Sequence, residues 1–101
     1  MRKIEHIGIA VKDMQAATQI YSSLLGCTHY KTEEVLGEGV NTAFFTCGES
    51  KIELLEATTQ DSAIAKFIAK KGEGVHHIAF AVDDINDEVQ RLEKEGFVVL
   101  N

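Results

Sequence analysis

An α+β fold of two βαβββ modules, the second incomplete, follows from three features of this 101-residue chain. Short strand-like runs alternate with helical segments that open on Asp or Ser and close on Gly. A strand-and-helix pattern near the N-terminus returns 71 residues later. The composition, 45% hydrophobic and 26% charged, is that of an ordinary folded domain.

The elements follow in order. Ile4 to Val11 is β-rich and too short for a helix, with Ile7, Ile9 and Val11 on one face and His6, Gly8 and Ala10 on the other. Asp13 is an N-cap, and Met14, Ala17, Ile20, Tyr21, Leu24 and Leu25 recur at helical spacing until Gly26. Cys27 to Lys31 reads as a short strand. After the Gly37-Glu38-Gly39 turn, Asn41 to Cys47 and Lys51 to Glu56 form a hairpin around Gly48-Glu49-Ser50. Asp61-Ser62 caps a short helix carrying Ile64, Ala65, Phe67 and Ile68, which stops at Gly72 and Gly74. Val75 to Val82 is another strand. Asp84 caps a last helix with Ile85, Val89 and Leu92 inward, Gly96 ends it, and Phe97 to Leu100 starts a further strand.

Residue n set against n+71 places His6-Ile-Gly-Ile-Ala-Val11 on His77-Ile-Ala-Phe-Ala-Val82, and Asp13 on Asp84. One gap later Gly26 meets Gly96. The expected organisation is a first module over 1–58, a linking helix over 59–74 and a partial second module over 75–101. The hairpin of the first module has no counterpart in the second, so the reading is of a C-terminally truncated form, or of one completed by strand exchange with another chain.

Charge narrows the function. Ten Lys and Arg against 16 Asp and Glu leave a net charge of −6, which disfavours a nucleic-acid backbone. No apolar run approaches the roughly 18 residues of a membrane span, and the N-terminus lacks the core of a signal peptide. No membrane association and a cytoplasmic location are expected, with Cys27 and Cys47 as reduced core thiols.

His6 and His77 occupy equivalent strand positions among small residues, Gly8 and Ala10 in one copy and Ala79 and Ala81 in the other. Small neighbours leave room for a ligand. Strand alternation assigns His76 to the opposite face with Ile78 and Phe80, so parity selects His77. Glu53 lies among aliphatics in Lys51-Ile-Glu-Leu-Leu-Glu56. Two imidazoles and a carboxylate from three strands suit a divalent cation of the Zn, Co, Ni or Mn kind. The bland reading stands beside it: a strand His is more often a satisfied polar residue than a ligand, and Glu53 taken alone is more often an edge residue facing water. Glu5, Glu56 and Glu93-Lys94-Glu95 read as solvated charges and His29 as surface. Lys66, Lys70 and Lys71 read as a solvated face that could meet an anionic substrate tail.

The chain resembles the vicinal-oxygen-chelate (glyoxalase) superfamily, and within it the branch of methylmalonyl-CoA epimerases. The resemblance is carried by His6-Ile-Gly-Ile-Ala-Val11, Tyr21-x-x-x-Leu25-Gly26, Lys51-Ile-Glu-Leu-Leu-Glu56, Asp61-Ser-x-Ile64-Ala-x-Phe67 and Gly72-x-Gly-Val-His-His-Ile-Ala-Phe80. It implies glyoxalase-like paired βαβββ modules in a homodimer, and an acyl-CoA thioester as substrate. It also implies a divalent metal on His6, Glu53 and His77. The fourth ligand of that family, a Glu that also serves as base, would lie C-terminal to this chain, which leaves the catalytic base unassigned and implies weak or absent turnover. A second family base aligns with Thr42 and is not supported. Lactoylglutathione lyases and metal-free binding members of the superfamily are the alternative readings.

Overall fold

The computed structural model describes residues 1–100 and contains one mixed sheet of five strands with three helices. The strands are β1 (Lys3–Ala10), β2 (Lys31–Val35), β3 (Val40–Cys47), β4 (Ser50–Ala57) and β5 (Gly74–Ala81), in the order β2-β3-β4-β1-β5. The helices are α1 (Met14–Leu25), α2 (Ala63–Lys71) and α3 (Ile85–Lys94). β1 runs parallel to β4 and every other pairing is antiparallel. The first module is therefore the βαβββ unit that the sequence predicts, and β5 adds to it along the free edge of β1.

Local chemistry accounts for the helix ends. The Asp13 carboxylate accepts the Ala16 amide at 3.1 Å, Ser62 Oγ accepts the Ala65 amide at 3.1 Å, and Asp84 accepts from Asn86 and Asp87. Each satisfies a donor that the first turn leaves without an intrahelical partner. Gly26 closes α1 at φ 73°, a left-handed conformation that a Cβ penalises. Cys47 pairs with Ser50, so Gly48 and Glu49 alone make the hairpin turn, with Gly48 at φ 61°.

Strand parity divides the sheet into two faces. One carries Ile9, Val11, Ala43, Phe45, Ile52 and Leu54 and is covered by Met14, Ala17, Tyr21 and Leu25 of α1. Phe45 and Leu54 are fully enclosed there, each worth about 1.5–3 kcal/mol of burial. The other carries Ala10, Val35, Val40 and Leu55 under Ile64, Phe67 and Ile68 of α2. His6, Gly8, Thr42 and Glu53 share the parity of this second face.

Several expectations are corrected. The second strand lies at Lys31–Val35 rather than Cys27 to Lys31. It is an edge strand, and its exposed Lys-Thr-Glu-Glu run carries no apolar alternation to mark it. Ile20, Leu24 and Ile85 face outward, because the buried stripe of each helix is narrower than its apolar set. Phe97 to Leu100 pair with none of the five strands, and a strand exists only by pairing. Cys27 and Cys47 are free and exposed rather than core thiols.

Two substitutions test this layering. Phe45→Ala is expected to lower unfolding free energy in urea by about 3–5 kcal/mol through the cavity it leaves. Asp13→Ala is expected to cost about 1 kcal/mol through the lost cap.

Candidate metal centre

The site lies where β1 meets β5. These strands are the two copies of the repeat, and they pair antiparallel with Ile7 opposite Ile78, its own equivalent. His6 then falls opposite Ala79, and Gly8 opposite His77. Equivalent side chains are thereby brought to one face from the two strands. The Nε2 atoms of His6 and His77 are 3.0 Å apart, with the rings edge to face. Gly8 makes this approach possible: a Cβ there would lie 2.6 Å from Nδ1 and 2.7 Å from Nε2 of His77. Only a residue without a side chain fits beneath the ring.

Glu53 comes from β4, whose register sets it beside Gly8. Its Oε2 is 3.3 Å from His6 Nδ1, and the His6 and Glu53 side chains are 20% and 15% exposed. One donor atom from each of His6, Glu53 and His77 lies within 4.8 Å of the others. The three residues selected from the sequence are the three that the fold assembles.

The β1–β5 ladder skips Glu5 on β1 and His76 on β5. Each skip is a β-bulge, which puts two successive residues on the same face. His76 therefore shares the His77 face rather than lying with Ile78 and Phe80 as simple alternation requires. Its Nδ1 is 3.0 Å from His77 Nδ1, and its ring packs edge-on against Phe67. Glu5, read from the sequence as solvated, accepts the Nδ1 proton of His6 at 2.6 Å and pairs with Lys51 at 3.1 Å. Glu56 is likewise not free: it accepts the Met14 amide at the start of α1 at 2.7 Å. His29 is not a surface residue either, since its ring packs against Phe45 and its Nδ1 is enclosed without a partner.

Burial and neighbouring charge tune the groups in opposite directions. Desolvation pushes the Glu53 carboxyl above its usual range, opposed by the adjacent His6. The same cause, with His6 and His76 close by, holds His77 below its ordinary value of 6.5. The hydrogen bond from His6 and the Lys51 ammonium hold Glu5 below the usual carboxylate value. A neutral His77 is the form a cation ligand requires, whereas the raised Glu53 carboxyl must release its proton to bind a cation.

Glu53 and His77 of the donor set, together with His76, line a cleft of about 890 Å³ between the sheet and the start of α2. Val35, Val40, Phe44, Leu55 and Ile64 supply its apolar wall, and Glu33, Thr42, Asp61 and Ser62 its polar edge. Thr42 is buried against it. Lys66 and Lys70 are exposed on α2 and do not line the cleft. The donors suit a divalent cation: metal–nitrogen bonds of about 2.1 Å at angles between right and tetrahedral place two nitrogens about 3.0–3.4 Å apart, and the imidazoles meet the lower value.

A mixed sheet with an imidazole–carboxylate–imidazole set at the junction of two repeat-related strands defines a βαβββ protein with a candidate cation site. The chain belongs to the Glyoxalase/Bleomycin resistance protein/Dioxygenase superfamily, whose family model matches residues 5–101. It is 40% identical over 95 residues to the Bacillus subtilis protein YqjC, covering 94% of this chain and 68% of that one. It is 37% identical over 94 residues to the human mitochondrial methylmalonyl-CoA epimerase, covering 92% of this chain and 53% of that protein. A Streptomyces coelicolor methylmalonyl-CoA epimerase variant, solved in complex with 2-nitronate-propionyl-CoA, superposes with a TM-score of 0.83 at 36% identity. That match covers all of this chain and 74% of the solved one. The chain thus spans between about half and three quarters of the length of these relatives.

Gly8→Ala is expected to displace the His77 ring and weaken Co²⁺ binding at least about tenfold, read by titration of the Co²⁺ absorption bands. A folded protein with unaltered Co²⁺ affinity would contradict the packing described above. The depressed His77 also predicts a stability trend. Unfolded His77 takes up a proton near 6.5 and the folded form resists it, so metal-free protein is expected to lose stability as pH falls below that value. Thermal unfolding across this window should show the slope, and His77→Gln should flatten it. Glu53 acts in the opposite sense from 4.5 upward, so the His77 effect is read near its own window.

Proposed function

We propose that this chain is an epimerase-type isomerase that binds a methylmalonyl-CoA-like acyl-CoA thioester at a divalent cation held by His6, Glu53 and His77. The observation that carries the reading is the convergence of these three donors within 4.8 Å, with Glu53 and His77 lining an open, part-apolar cleft. The similarity to methylmalonyl-CoA epimerases supports the substrate class.

The physical demand of the reaction is charge. A thioester α-proton is weakly acidic, and its removal puts negative charge on the thioester oxygen. A divalent cation, when bound, supplies a fixed positive charge for that oxygen. The chain's own residues set the stage. Gly8 leaves room for the His77 ring, and a neutral His77 offers one ring nitrogen's lone pair to the cation. The acidic edge of Glu33 and Asp61 leaves the apolar wall from Val40 to Ile64 as the surface suited to the uncharged part of an acyl-CoA. Lys66 and Lys70 on α2 are proposed to meet the phosphates of a CoA tail that extends out of the cleft.

Binding of methylmalonyl-CoA, followed by calorimetry, is expected to tighten at least about tenfold when Co²⁺ is added, and this gain to vanish with chelator or in His77→Ala. Binding that ignores Co²⁺ would refute the metal-dependent reading and favour a metal-free binding module. In heavy water, slow entry of deuterium at the α-carbon of methylmalonyl-CoA is the expected chemistry. Turnover of a glutathione hemithioacetal in its place would transfer the assignment to a lyase.

A further inference from the structure

We infer that His76 and Glu5 are positioning residues, each taking the Nδ1 proton of the histidine that follows it so that both Nε2 lone pairs converge on one cation. The inference rests on the metal-dependent reading above and extends it to residues outside the donor set.

Three observations lead to it. First, the hydrogen bonds are specific to one ring edge. A carboxylate accepts only, so the 2.6 Å contact of Glu5 fixes the proton of His6 on Nδ1. His76 meets His77 through the Nδ1 of both rings at 3.0 Å, and one of the two must donate. Second, the two arrangements are related by the repeat. Glu5 and His76 are the residues immediately before His6 and His77. Each is the one that the β1–β5 ladder skips, so the same bulge recurs on each strand about the Ile7–Ile78 pair. Where one copy supplies a carboxylate acceptor, the other supplies an imidazole. Third, donation from His77 Nδ1 to His76 completes the pattern. Both Nε2 atoms then present lone pairs to one another at 3.0 Å, an opposition that a cation between them relieves.

His76 is held for this task. Its ring packs against Phe67 of α2 at 5.0 Å between centroids, nearly perpendicular. With Nδ1 accepting from His77, His76 carries its own proton on Nε2. Glu5 is held by Lys51. Outer partners of this kind typically contribute 10–100-fold to metal affinity by fixing tautomer and ring orientation.

The test uses metal affinity and tautomer, not turnover. In Zn²⁺-loaded protein, long-range proton–nitrogen NMR is expected to show His76 protonated on Nε2 and His77 on Nδ1. A His76 protonated on Nδ1 would overturn the assignment. His76→Leu keeps an apolar contact for Phe67 and removes the acceptor, and should weaken Co²⁺ binding about 10–100-fold. His76→Asn, whose carbonyl oxygen can stand near the position of Nδ1, should restore most of it. Equal Co²⁺ affinity in the unmodified protein and His76→Leu overturns the inference while leaving the metal-dependent reading intact. Failure of the unmodified protein to bind Co²⁺ overturns both.

Discussion

The antiparallel pairing of β1 with β5 about Ile7 and Ile78 is the constraint on which the site depends. When two copies of one strand pair around equivalent central residues, a step forward on one lies opposite a step back on the other. His6 and His77 thus meet on the same face, each opposite the small residue of the other copy, Ala79 or Gly8. A one-residue slip would send one histidine to the far face. Apolar burial of Ile9 and Val11 against α1 opposes such a slip, because it too depends on parity.

The two faces of the sheet divide the work. The α1 side encloses Phe45 and Leu54 and supplies most of the dry packing. The α2 side buries Ala10, Val40 and Leu55 under Ile64, and beside this small core Thr42, Phe44, Glu53 and His77 line a cleft. Polar groups are tolerated there because they find partners: Glu5 with His6 and Lys51, and His76 with His77. Partial burial then does chemical work. It lowers the His77 pKa and raises that of the Glu53 carboxyl, while the hydrogen bond from His6 and the Lys51 ammonium lower that of Glu5.

Much of this was legible along the chain because its causes are local. Asp13, Ser62 and Asp84 satisfy amides two or three residues away, and Gly26 turns the chain where it stands, so the helix ends appear in the order of residues. The hairpin of β3 and β4 was equally visible in its glycine turn. β2 was not, since an exposed edge strand buries no alternating face. Ile20 and Leu24 fit a helical period, yet the period cannot say how wide a stripe the sheet covers.

By itself the sequence determined the repeat, the helix caps, the strand positions that set His6 and His77 apart, and the aliphatic setting that marks Glu53. Those are properties of one strand or one helix at a time. Only the tertiary structure decided that Glu5 and His76 join them, and that Gly8 is small because a histidine ring lies over it. A bulge arises from the mismatch of two paired strands, and a close approach from residues 69 positions apart. Neither leaves a period in the chain that contains it.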